Sequence, residues 1–318
     1  MRYLEAAGET ISKIGLGTWQ FGSREWGYGE DYAIREAHAI VERALELGIN
    51  FFDTAEAYAS GRSEEILGRA LDGRSAFIAT KFLPVVPLPG RIERSAVESR
   101  RRLGEKEIDL YQMHWPNPAF PVRLAMEGMR RVQKAGIARQ VGVSNHSLRQ
   151  WKHAEQVLGE PILSNQVLFN LVRRKPLRNL IPFAASNDRI VIAYSPLAQG
   201  LLSGNYNPAN PLGGFRRRNP LNPLASAVNL ARATPLIETL REIGSTHGVT
   251  PAQVALSWVL SHPNTVAIPG ASSVAQVTQN AEAAELTLAE DEIIRLGDIA
   301  ESLQLKGGIA GAVGALRR

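Results

Sequence analysis

Short apolar runs alternate with amphipathic segments along most of this chain. Strand-like runs fall at 14–18, 49–53, 76–81, 108–114, 138–143, 162–167, 189–194 and 265–268. Between them, apolar positions recur at helical spacing over 32–48, 63–72, 92–103, 122–135, 147–158, 176–186, 234–247 and 273–284. The strand-like runs are apolar throughout instead of alternating, which fits parallel strands covered on both faces. Eight β/α units in about 250 residues is the pattern of an α/β protein with a (β/α)8 (TIM) barrel, not of two domains.

Local signals agree with that division. Gly48 stands where the first helix should stop. Ser147 is placed to cap the helix beginning at Leu148, and Thr250-Pro251 opens a further helix over 251–261. Ala289 to Leu303 reads as a last helix outside the eightfold repeat. Residues 1–13 read as an N-terminal hairpin around Gly8, able to plug the barrel floor. Residues 195–233 form a long loop carrying Pro196, Pro208, Pro211, Pro220 and Pro223. Such loops are usually functional or disordered, and this one follows the seventh strand, beside the usual phosphate corner of these barrels. The glycine-rich stretch 304–318 reads as a loose tail, so the expectation is one barrel domain over 1–318.

Polar residues interrupt the apolar runs at their C-terminal ends. Asp53, Lys81 and His114 close three successive runs, and Tyr58 follows the first of them. That end of a parallel strand faces the side where barrels bind ligands. An acid, a phenol, a cation and an imidazole gathered there suit delivery of a proton to a carbonyl oxygen. Taken singly, each has a plainer role: Asp53 as a turn cap, Tyr58 as a loop phenol, Lys81 as a solvated strand end, His114 as a structural histidine. The other histidines (His38, His146, His153, His247 and His262) show no metal-ligand spacing with carboxylates, so no metal site is expected.

Composition narrows the classes further. The absence of cysteine excludes disulfides, thiolate metal sites and a Cys nucleophile, and fits a reducing cytoplasm. The first residues do not read as a secretory signal, and no apolar run approaches the ~20 residues of a membrane helix. The net charge is +5, with basic runs at Arg100-Arg101-Arg102 and Arg216-Arg217-Arg218. Neither run is interleaved with aromatics as in a nucleic-acid surface. The first reads as a solvated helix face, whereas the second lies in the long loop and is placed to face an anion.

The motifs, taken in order, resemble the aldo-keto reductases. They are Gly15-Leu16-Gly17-Thr18-Trp19, Asn50-Phe51-Phe52-Asp53-Thr54-Ala55, Tyr58, Gly68, Lys81 and Asp109-Leu110-Tyr111-Gln112-Met113-His114-Trp115. They continue through Gly142-Val143-Ser144-Asn145, Asn165-Gln166, Tyr194-Ser195-Pro196-Leu197 and Ile268-Pro269-Gly270-Ala271-Ser272. The overall pattern is similar to the bacterial and channel-β-subunit-like branches. The resemblance implies NAD(P)H-dependent reduction of small carbonyl substrates on a (β/α)8 barrel. Tyr58 would be the general acid, Lys81 would lower its pKa, Asp53 would hold Lys81 charged, and His114 would bind the carbonyl. A cation about 4 Å from the phenol, at an effective dielectric of about 20, contributes roughly 4 kcal/mol, or about three pKa units before burial is set against it.

The same resemblance implies a cofactor cradle. Tyr194 would stack on the nicotinamide, whose carboxamide would meet Ser144, Asn145 and Gln166. Gly17, Thr18 and Trp19 would lie beside it. Ser195, Pro196, Leu197, Gln199, Gly200 and Leu202 would run along the pyrophosphate. Gly270, Ser272, Gln276, Gln279 and Asn280 would surround the adenosine end. Some branches carry a cation where Gly270 and Ala271 stand, or a lysine where Asn205 stands. Arg216, Arg217 and Arg218 are the implied substitutes for a 2′-phosphate, so NADP(H) is favoured over NAD(H). Trp19, Phe82 and Trp115, with Trp26 and Tyr28 from the loop after strand one, would wall an apolar substrate pocket. Two rivals stand beside this reading: a Schiff-base lyase using Lys81, and a cofactor-binding regulatory or scaffold protein. Substrate identity and oligomeric state are left open.

Overall fold

The N-terminal segment folds first on itself. β1 (Tyr3–Ala6) and β2 (Glu9–Ser12) pair antiparallel, Tyr3 opposite Ser12, about a turn in which Ala7 and Gly8 are left-handed. The computed structural model describes residues 1–23, 31–105, 107–207, 209–210, 227–303 and 305. Trp26, Tyr28, Arg216, Arg217, Arg218 and nearly all of the expected tail lie outside those residues.

Eight parallel strands follow: β3 (Leu16–Gly17), β4 (Phe51–Asp53), β5 (Phe77–Phe82), β6 (Ile108–Met113), β7 (Ala138–Ser144), β8 (Ser164–Leu168), β9 (Ile190–Tyr194) and β10 (Thr265–Ala267). Each pairs with the next in sequence. Parallel bridges Ile14–Ala267 and Gly17–Gly270 join the first strand to the last and close the barrel. Closure explains the glycines of the first strand. A Cβ at Gly15 would lie 2.6 Å from the Phe51 ring, and one at Gly17 would lie 2.8 Å from the Ile268 carbonyl.

Helices α1 (Asp31–Glu46), α2 (Arg62–Leu71), α3 (Pro89–Arg102), α4 (Val122–Lys134), α5 (Leu148–Leu158) and α6 (Leu180–Ser186) surround the first part of the barrel. They are followed by α7 (Ala227–His247), α8 (Pro251–Leu260), α9 (Val274–Glu282) and α10 (Glu290–Ser302). Alternation along the strands divides the core in two. Phe51, Phe77, Leu110, Leu163, Ile192 and Val266 point into the barrel, where Ala6 and Ile11 of the hairpin join them. Phe52, Ile78, Tyr111, Val141 and Val191 point outward against the helices.

Two helices differ from expectation. A helix expected over 176–186 is broken into a 3-10 turn, Lys175–Arg178, and α6, with Asn179 non-helical between them at φ −154° and ψ −33°. Pro182 is the cause, because it has no N–H to give the carbonyl of residue 178, so only a helix starting near Leu180 accommodates it. Conversely, α7 begins seven residues before the expected 234 and runs through Pro235. Pro235 lies on the exposed side, where water can satisfy the carbonyl it leaves unpaired.

Gly68 is where α2 meets the end of α3. A Cβ there would lie 2.8 Å from the Arg102 carbonyl and from the Leu103 backbone. Gly68→Ala is therefore expected to lower stability by about 1–3 kcal/mol, read by urea denaturation. An unchanged midpoint would contradict the tight approach.

Candidate active site

Asp53, Lys81 and Gln112 sit on β4, β5 and β6 with side chains turned into the barrel, one level above its apolar filling. Register places Lys81 opposite Gln112. Lys81 has no exposure, and its ammonium donates to three acceptors: Asp53 Oδ1 at 2.7 Å, the Thr54 carbonyl at 2.7 Å and Tyr58 Oη at 3.3 Å. The other Asp53 oxygen accepts from Gln166 Nε2 at 2.7 Å and from Gln112 Nε2 at 3.4 Å. Burial pulls the Lys81 pKa down, but Asp53 and Tyr58 outweigh it and the net direction is upward. The ammonium is thus a fixed charge.

Tyr58 leaves β4 on a short turn and lies edge-on to His114, ring centroids 5.8 Å apart. Its pKa is raised, because burial outweighs the downward pull of Lys81. The expectation of a net acidic phenol is therefore corrected: in the resting site Tyr58 holds its proton. His114 is held neutral, its pKa lowered to about 3 by burial and then by Lys81. Its ring stacks on Trp115, 9° from parallel, and its buried Nδ1 has no partner.

A cavity of about 790 Å³ opens from these side chains. At one end it is walled by Asp53, Tyr58, His114, Trp115, Trp19 and Gly17. Trp19 and Trp115 are 51% and 42% exposed at the mouth. Further along lie Ser144, Asn145, Gln166 and Tyr194, joined to one another. Tyr194 Oη donates to Asn145 Oδ1 at 3.0 Å, Asn145 Nδ2 to Ser144 Oγ at 3.0 Å, and Ser144 Oγ to the Gln166 carbonyl at 2.9 Å. With Gln166 Nε2 committed to Asp53, its amide oxygen is left as an acceptor.

The loop after β9 forms the next wall, through Ser195, Pro196, Leu197, Gln199 and Gly200. Ser195, Ala198, Gln199 and Gly200 all have φ between 47° and 98°. The non-glycine residues among them cost about 1–3 kcal/mol each and persist only where their surroundings hold them. At the far end Gly270, Ser272, Gln276, Gln279 and Asn280 line the cavity at the start of α9, which Ser273 caps by accepting from the Gln276 N–H at 3.2 Å.

Three expected contacts do not reach the cavity, and the pleat explains two. Phe82 follows inward-facing Lys81, so it faces outward and packs on Tyr111 at 5.5 Å instead of walling a substrate pocket. Thr18 likewise points away from the cavity, its hydroxyl donating to the Asp53 carbonyl at 3.0 Å. Leu202 is wholly buried in the outer core. Nor is the arginine run uniformly solvated. Arg101 is 61% exposed, but Arg102 is 14% exposed and pairs with buried Glu64 at 2.6 Å. Sequence reasoning also missed Gln112, Gln20 and the start of α8, where Thr250, Pro251 and Ala252 line the cavity. Gln112 stands two residues before His114, so the period of two could have found it. Gln20 and α8 gave no local signal.

Lys81 does not line the cavity, and all its protons are engaged. That geometry removes the Schiff-base alternative, which needs an accessible amine. Among the described residues, no group of three or more His, Asp or Glu is placed to hold a metal. No described helix is long and apolar enough to cross a membrane.

Three histidines, His146 buried and His114 and His262 half-buried, carry a pH consequence. Burial lowers His114 to about 3, and His146 and His262 to about 4. Unfolded histidine titrates near 6.5, so between about pH 6.5 and 4 the unfolded chain binds more protons. Stability is therefore expected to fall as pH drops from 7 to 5, by up to about 1.4 kcal/mol per pH unit for each histidine. Urea denaturation across that range tests this; a flat profile would contradict it.

Comparison with known proteins supports the same conclusion from the whole chain. Residues 13–301 match the model of the aldo/keto reductase family. An oxidoreductase of Mycobacterium tuberculosis, itself uncharacterized, is 49% identical over 96% of this chain and 94% of its own. A glycerol dehydrogenase from Gluconobacter oxydans has a similar structure, with a TM-score of 0.85 at 27% identity over 96% of each chain. An aldo/keto reductase from Klebsiella pneumoniae, crystallised with NADP and acetate, has a TM-score of 0.74 at 28% identity, covering 95% of this chain and 96% of its own. With a closed eight-stranded barrel and a family match over nearly its full length, this chain belongs to the aldo/keto reductase family of oxidoreductases.

Proposed function

We propose that this chain reduces aldehydes or ketones to alcohols, with Tyr58 as the proton donor and NADPH as the reductant. The observation that carries the reading is the buried ammonium of Lys81, which donates at once to Asp53 and to the Tyr58 hydroxyl at the inner end of the cavity. The cavity suits a dinucleotide in size and lining. Tyr194, Asn145 and the free Gln166 oxygen would hold a nicotinamide carboxamide, and the left-handed loop after β9 would follow the pyrophosphate. The bound cofactor supplies a hydride.

The raised pKa of Tyr58 fits this role. A phenol that keeps its proton at neutral pH is available as an acid. Lys81 acts where charge develops. At 3.3 Å and an effective dielectric of about 20, the ammonium favours a nascent phenolate by roughly 5 kcal/mol. Asp53 keeps that ammonium in place. His114, being neutral, offers the carbonyl oxygen an N–H without adding a second cation beside Lys81. Trp19 and Trp115 suit an apolar group on the substrate. Trp26 would close over it.

The Klebsiella relative bound to NADP supports the phosphorylated cofactor. No lysine or arginine is among the described residues lining the far end of the cavity. Arg216, Arg217 and Arg218 are therefore our candidates for the 2′-phosphate.

Tyr58→Phe is expected to lower carbonyl reduction by about 10²–10⁴-fold and to leave cofactor affinity nearly unchanged. Steady-state rates and fluorescence titration check the two parts, and near-normal turnover would refute the assignment. In the same titration, NADPH should bind more tightly than NADH, and Arg216→Ala/Arg218→Ala should remove most of that difference. Equal affinities in the unmodified chain would reject the preference.

A further inference from the structure

The turn that presents Tyr58 is strained. Ala59, Ser60 and Gly61 are all left-handed, with φ of 47°, 56° and 90°. A non-glycine residue in that region costs about 1–3 kcal/mol and persists only where its surroundings hold it.

What does hold it begins in the first turn of α2. Ser63 Oγ donates to the Thr18 carbonyl at 2.8 Å and lies 3.0 Å from Thr54 Oγ1. Glu64, wholly buried, uses both carboxylate oxygens. Oε1 accepts from Thr80 Oγ1 at 2.6 Å, and Oε2 accepts from Arg102 Nε at 2.6 Å. Thr80 is the residue before Lys81. Arg102 passes beneath Gly61, where an added Cβ would lie 2.6 Å from its Nε. One carboxylate therefore links the strand that carries Lys81, the helix that follows Tyr58, and the guanidinium under the turn between them.

Stability alone is a poor explanation for such a pair. Replacing a buried ion pair by apolar groups of similar size is often neutral or stabilising. Moreover, the contact most sensitive to its geometry is catalytic: at 3.3 Å, Tyr58 is the longest of the three Lys81 contacts. We infer that Glu64 and Arg102 are positioning residues that set the separation of Tyr58 from Lys81, and through it the rate of proton delivery. This rests on the function proposed above, though neither residue touches the cavity.

The test is the double variant Glu64→Gln/Arg102→Met, which removes the buried carboxylate and its half-buried partner together and leaves no unpaired charge. It should melt near the wild-type temperature. In crystals, Tyr58 Oη should move beyond hydrogen-bond reach of Lys81 Nζ. kcat for carbonyl reduction should fall about 10- to 100-fold, with KM and cofactor affinity unchanged. Arg102→Lys, which keeps the charge on Glu64, should retain most of kcat. A double variant with wild-type kcat and an unchanged Oη–Nζ distance would overturn the inference. Should that variant fail to fold, Thr80→Val removes a single hydroxyl and must show the same lengthening and a lower kcat; if it shows neither, the inference fails. The distance is read without turnover. A wild type inactive on every carbonyl would thus sink the functional reading, while the distance would still decide the role of the pair.

Discussion

A single buried ammonium organises the mouth of this barrel. An isolated cation moved from water to such a place costs several kcal/mol, and only close, well-directed acceptors offset it. Lys81 has three, one of them a carboxylate. Asp53 then needs partners of its own, and the amides of Gln166 and Gln112 supply them. The requirement spreads from one strand to four. The result is a polar layer lying on an apolar floor, with the ligand cavity above it.

Two opposing effects set the Tyr58 pKa in that layer. Proximity to a cation suggests an acidic phenol, yet burial acts in the opposite direction and is larger. The two effects act on the same charged form, so they oppose each other in the resting site and again when the proton leaves. What remains specific to the proposed reaction is geometry: the ammonium already points at the Tyr58 oxygen, where negative charge would develop, so no reorganisation would be needed. Neutral His114 completes this arrangement, since a second cation at that distance would compete with Lys81 for the same desolvated space.

Much of this was legible in the chain because parallel strands write their ends plainly. Asp53, Lys81 and His114 stand out as polar residues closing apolar runs, and the strand order follows directly from the alternation. What was lost depends on facts that are not local. Phe82 adjoins Lys81 in sequence but faces the helices, because neighbours on a strand point to opposite sides. Arg102 looks like its exposed neighbours Arg100 and Arg101, and only the packing of α2 on α3 reveals Glu64 opposite it. Pro182 and Pro235 were both visible, but their consequences differ. The first denies an N–H that a longer helix would need; the second sits on an exposed face where water replaces the lost bond.

The central claim is that the Lys81 charge stabilises the Tyr58 oxygen as its proton departs. Removing that charge together with its counter-ion, in Lys81→Met/Asp53→Asn, leaves no unpaired charge in the barrel. The decisive measurement is single-turnover carbonyl reduction by this variant, with cofactor affinity measured alongside. The account predicts a rate lower by about three to four orders of magnitude and cofactor affinity within a few-fold of wild type. A rate within tenfold of wild type would contradict it.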